Sequence, residues 1–165
     1  MWKALTLTQP WCGLVAAGLK PIENRQRPMI RREDFNRPFA LHASRAIDEA
    51  QMRRIIEIAP ELCTDMAAPW IKLASITSAI IGVATIERAI VMFTRADGSA
   101  YAVDMATREV VDLGEDARWF FGPIGYVLRD IRPLAEPIPC RGWQSFWTVP
   151  VEHVKLIEDQ LARVA

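Results

Sequence analysis

The segment GLKPIENR, residues 18–25, sets a lysine, a carboxylate and an arginine close together on the chain. Arg25 offers a planar fork that takes a phosphate through two parallel hydrogen bonds, and Lys20 offers a compact point charge. Glu23, between them, can accept a hydrogen bond from a base amino group or take up a proton. Together they can hold an anion and read or activate what it carries. The same residues also fit a Glu23–Arg25 pair that orients a turn, with Lys20 in solvent. Spacing alone leaves both readings open.

The elements around the segment decide whether the three can meet. Residues 3–7 alternate as a short strand, after which Thr8 supplies a capping hydroxyl and Pro10 an early helix proline. Trp11, Leu14 and Val15 fall at i, i+3 and i+4, and Gly18 ends the helix where a left-handed residue is wanted. Residues 21–27 read as a strand, so Glu23 and Arg25 share a face, while Lys20 at the junction can reach the same spot. Residues 28–37 are a charged loop. With Arg27, its Arg31, Arg32 and Arg37 form either a solvated face or a rim that contacts phosphates.

A second pair of polar residues, His42 and Ser44, lies two apart on a predicted strand over residues 38–44. They share a face and fit either a base with its nucleophile or the polar end of a strand. His153 belongs to a helix predicted over residues 151–165, whose apolar side carries Val154, Ile157, Leu161 and Val164. Bases of single strands stack on aromatic side chains. Trp11, Trp119, Phe120, Phe121, Tyr126, Trp143 and Trp147 can do this, although a core of this size also needs large side chains. Trp11 and Trp143 stand beside a helix end and a turn, next to polar residues, and are the expected cleft aromatics.

The remaining pattern is a helix over residues 45–58, a loop with a turn of helix over 59–77, and a β-branched strand over 79–92. Asp97-Gly98 marks a hairpin, with short strands at 101–104 and 109–113. Further strands are expected at 125–134 and 144–149. Strands outnumber helices without regular alternation, so the expected class is α+β: a small, mostly antiparallel β-barrel with flanking helices. The 165 residues fit a single domain, with 92–116 as a hairpin insertion and 151–165 as a C-terminal helix.

Lys and Arg number 20, as do Asp and Glu, so bulk positive charge does not draw this chain to nucleic acid and any polyanion site must be local. Cys12, Cys63 and Cys140 are scattered, and His42 and His153 are the two histidines. Neither a disulfide framework nor a metal cluster is expected, and no cofactor is called for. No apolar run reaches the length of a membrane span, and no signal-peptide core follows the first residues. The expectation is a cytoplasmic monomer.

The segment LTLTQPWCGLVAAGLKPIENR resembles the opening signature of the ASCH domain, a member of the PUA-like superfamily, in which Gly-x-Lys-x-x-Glu-x-Arg follows a Gln-Pro-Trp helix start. Gly18, Lys20, Glu23 and Arg25 match the fixed positions, and Gln9, Pro10 and Trp11 match the lead-in. FALHAS, IIGVATI, WFFGPIGYVL and PCRGWQSFW resemble later strands and turns. The resemblance implies a β-barrel with a cleft for RNA, DNA or a nucleotide-like ligand. Lys20, Glu23, Arg25, Gln9, Trp11, His42, Ser44 and Trp143 are the expected ligand-binding residues. It also implies an alternative, a hydrolase of RNA or a modified nucleoside with Lys20 or Glu23 as base and Arg25 stabilising negative charge. The branch that hydrolyses N4-acetylcytidine carries a threonine nucleophile where this chain has Glu23, and a carboxylate cannot take that part.

Overall fold

The computed structural model describes residues 1–163; Val164, expected on the terminal helix, and Ala165 lie outside the described residues. Among those described, eight strands form one mixed sheet. These are β1 (Lys3–Gln9), β2 (Ile22–Arg25), β3 (Pro38–Ile47), β4 (Ala79–Thr94), β5 (Ala100–Asp104), β6 (Val110–Val111), β7 (Ile124–Pro139) and β8 (Phe146–Thr148). The order is β2-β7-β4-β3-β1-β8, with β5 and β6 hanging from β4 beyond this path. Only β1 and β3 pair in parallel; the other pairings are antiparallel.

The curvature comes from the longest pair. β4 is buried from Ala79 to Ile86, apolar there except for Thr85, and it meets β7 with register shifts at Ile80/Gly82, Val83/Thr85 and Ile86/Arg88. Each shift puts unequal residue numbers opposite one another, which bends the strand and deepens its twist. The sheet therefore curls into a half-barrel, and the expected α+β class holds. The seam of the curl lies between β2 at one end of the path and β1 and β8 at the other.

Four α-helices flank this sheet among the described residues: α1 (Trp11–Ala16), α2 (Glu49–Ile58), α3 (Pro69–Ala74) and α4 (Val151–Ala162). α1 joins the two seam strands and is buried from Cys12 to Ala16. It lies so close to α3 that a Cβ on Gly13 would stand 2.5 Å from the Ala74 amide nitrogen. α4 covers the far side, where fully buried Ile157 joins Leu134, Ile138 and Trp147.

Three local details differ from the sequence reading. Thr8 does not cap α1; the Gln9 side chain turns inward instead, and its Oε1 accepts from the Gly13 amide at 3.0 Å. α2 begins at Glu49 rather than residue 45, because β3 continues to Ile47 and Asp48 accepts from the Ala50 amide at 3.0 Å, an N-cap contact. β7 runs on through Pro133 to Pro139, since a shifted register tolerates residues that cannot donate to the ladder.

Candidate functional site

β2 delivers its charged residues to the seam. Glu23 and Arg25 do share a face, and Glu23 Oε1 pairs with Arg25 Nη2 at 3.2 Å. The same Nη2 donates to the Thr6 carbonyl of β1 at 3.2 Å, so the guanidinium bridges the two edges of the half-barrel. Gly18, at φ +75°, makes the left-handed turn that ends α1 and lets the chain enter β2.

Lys20 is not solvated. It is 1% exposed; its ammonium donates to the Ile22 carbonyl and to Glu23 Oε2, the latter at 3.1 Å. The nitrogen also lies 5.5 Å from the Trp11 ring centroid and 5.9 Å from that of Phe121. Burial pushes the Lys20 pKa down from its ordinary value, and Glu23 opposes that shift. Burial likewise pushes the Cys12 thiol well up, with Glu23 adding to the effect.

Beside the seam opens a cleft of ≈ 1080 Å³. Its basic lining is Arg25, Arg45 and Arg141, and no aspartate or glutamate lines it among the described residues. Trp143 stands at the mouth, 47% exposed, with its ring 4.9 Å from that of buried Trp147. Thr6 ties the wall together: its Oγ1 donates to the Trp143 carbonyl at 2.7 Å and accepts from Trp147 Nε1 at 3.0 Å.

His42, the register partner of Thr6 across β1 and β3, lies in the same wall and is 2% exposed. Its Nε2 is 3.1 Å from the Cys140 carbonyl, an acceptor only, so the neutral ring carries its proton on Nε2. Nδ1 is buried without a partner. Burial lowers the His42 pKa from its ordinary value, partly opposed by the Cys140 carbonyl. Ser44 also lines the cleft, but its Oγ donates to the Ala46 carbonyl at 3.0 Å rather than meeting His42.

The eight expected ligand-binding residues thus fall into two groups. Arg25, His42, Ser44 and Trp143 line the cleft. Lys20 and Glu23 stand behind Arg25. Gln9 is fully buried, its Nε2 donating to the Leu73 and Ile76 carbonyls at 2.9 and 2.6 Å. Trp11 packs among Trp119, Phe121 and Lys20, and its Nε1 donates to Gln51 Oε1 at 3.0 Å. Trp119, Phe120 and Tyr126 are core residues.

Arg45 and Arg141 are cleft residues that motif and strand spacing do not mark. Their signal in the sequence is adjacency: Arg45 follows Ser44, and Arg141 precedes the Gly142-Trp143 turn. The arginine-rich loop does not reach this cleft. Arg32 lines a separate depression with Ile30, Phe35 and Tyr126, and Arg31 pairs at the surface with Glu33 at 3.6 Å.

No family model and no curated protein matches the sequence. In fold, the chain is similar to the crystal structure of ASCH from Zymomonas mobilis, at 17% identity and a TM-score of 0.50, over 94% of this chain and 93% of that one. Two structures of mutants of that protein give 15% and 16% identity with TM-scores of 0.47, over 94% of this chain and 94% and 96% of theirs. Likeness at this identity concerns the fold, and the chemistry of the cleft rests on its own residues.

Proposed function

We propose that this chain, with its ASCH-type fold, is a binding module for single-stranded nucleic acid, RNA in the first instance, that seats a nucleotide in the seam cleft. The observation that carries the reading is the pairing of three arginines with one exposed tryptophan in a cleft without acidic lining, on a protein of zero net charge. Arginines take phosphates by paired hydrogen bonds, and an exposed indole offers a stacking face to an unpaired base. Thr6 and Ser44 also line the cleft, each with its hydroxyl proton given to a backbone carbonyl, so toward a ligand they act as acceptors.

Titration of a fluorescein-labelled oligo-uridylate tests the reading. Three phosphate contacts give a slope of log affinity against log salt of about −2 for a single strand. Replacing Trp143 with alanine is expected to weaken binding by about 1–3 kcal/mol, the range for one stacked base, and to leave the fold intact. Salt-independent binding, or full affinity in Trp143→Ala, contradicts the proposal. The matching oligodeoxynucleotide decides between RNA and DNA, because only a contact to the 2′-hydroxyl separates them.

A further inference from the structure

The buried half of the GLKPIENR segment has a distinct part in this cleft. We infer that Lys20 is a positioning residue that cancels the charge of Glu23, so that Glu23 can hold Arg25 in place without neutralising it toward an anion in the cleft. The inference rests on the anion-binding reading above.

Side-chain exposure rises along the chain of contacts, from 2% at Lys20 through 10% at Glu23 to 25% at Arg25. The triple therefore has a buried cationic end, a carboxylate in the middle and a cationic end that opens to the cleft. Each oxygen of Glu23 is taken by one cation: Oε2 by Lys20 at 3.1 Å and Oε1 by Arg25 at 3.2 Å. A Glu23–Arg25 pair alone would fix the guanidinium, but its net charge would be zero and its pull on a phosphate correspondingly weak. With Lys20 the group carries one positive charge, and that charge sits where Arg25 meets the cleft.

The geometry of Arg25 agrees. Both of its protein contacts, to Glu23 Oε1 and to the Thr6 carbonyl, run through Nη2. Nε is buried without a partner, which leaves Nη1 as the group able to meet an anion.

Burying an ammonium is costly unless it is paired and hydrogen-bonded. Here the Ile22 carbonyl, Glu23 and the Trp11 and Phe121 ring faces each favour the ammonium form, against the burial that lowers its pKa. A lysine used directly on the ligand would need its ammonium at the cleft wall, and Lys20 does not line it.

Charge rescue tests the device. Lys20→Met leaves Glu23 uncompensated; affinity for oligo-uridylate is expected to fall about tenfold and the salt slope to shrink by about 0.7. Adding Glu23→Gln keeps an oxygen for Arg25 but removes the negative charge, so Lys20→Met/Glu23→Gln should bind within about threefold of the unaltered protein. Glu23→Gln alone keeps the oxygen for Arg25 and leaves the group at least as positive, so it should bind at least as tightly as the unaltered protein, and it serves if Lys20→Met does not fold, as judged by near-ultraviolet circular dichroism.

A full-affinity Lys20→Met, a folded double variant without rescue, or loss of binding in a folded Glu23→Gln overturns the inference. The same series is run with inorganic pyrophosphate, which needs cations but no stacking. If pyrophosphate shows loss and rescue while RNA does not bind, the nucleic-acid reading fails and the charge device stands. Binding of neither probe overturns both.

Discussion

The α-carbon of Gly142 packs directly against the imidazole of His42: an added Cβ would overlap ring atoms Cε1 and Nδ1 and stand 2.9 Å from Thr6 Oγ1. The turn that carries Arg141 and Trp143 into the cleft is thus seated on a histidine of the wall. Only a residue without a side chain permits so close an approach.

Gly142→Ala should therefore lift this turn. The overpacking is expected to cost about 1–3 kcal/mol in urea unfolding. It should also weaken RNA binding, because Trp143 and Arg141 move together. Unchanged stability and unchanged affinity would show that the turn does not depend on the His42 contact.

His42 makes the fold sensitive to acid. Its Nε2 proton is committed to the Cys140 carbonyl, and a second proton would have to go on the buried, partnerless Nδ1. Burial sets the folded pKa below 6.5, so the unfolded chain binds the proton more readily. The stabilisation is then complete above pH 6.5 and is lost as pH falls through the lower folded value. Urea unfolding at pH 7.5 and 5.0 should show a larger loss for the unaltered protein than for His42→Gln. Equal losses would contradict this.

Gln9 is expected to matter for stability rather than for ligand. Gln9→Ala strands the Ile76 carbonyl and the Gly13 amide and removes one of the two donors to the Leu73 carbonyl, which keeps the Ile76 amide, a loss of about 2–4 kcal/mol given about 1–3 for each unsatisfied buried group and partial relaxation. RNA affinity of the folded fraction should not change. A variant as stable as the parent would remove Gln9 from this role.

Arg45 and Arg141 are exposed and can be replaced without disturbing the core. Each alanine substitution should reduce the salt slope by about 0.7 while stability stays within about 0.5 kcal/mol. An unaltered slope in both variants would take these arginines out of the phosphate contacts.

Local rules made much of this molecule legible. The period of Trp11, Leu14 and Val15 with Gly18 after it described α1, the β-branched run described β4, and Asp97-Gly98 described the turn into β5. The two-residue spacing of Glu23 and Arg25 correctly placed them on one strand face. Each of these follows from backbone periodicity or from a glycine's access to positive φ, and both are written into a few neighbouring residues.

Depth was not written there. Strand alternation assigns Lys20, Glu23 and Arg25 to a neighbourhood, but only the curl of β4 against β7 closes β2 toward β1 and decides which charge is covered. Phe121, far along the chain, joins Trp11 of the preceding helix to shut Lys20 inside, while Arg25 reaches Thr6 and stays at the cleft. The same closure brings Arg45 and Arg141, remote in sequence, to one wall. Sequence by itself determined the elements and the local charge cluster, because those depend on near neighbours. Tertiary structure alone decided which cation faces a ligand, because burial is set by what the rest of the chain lays over a residue.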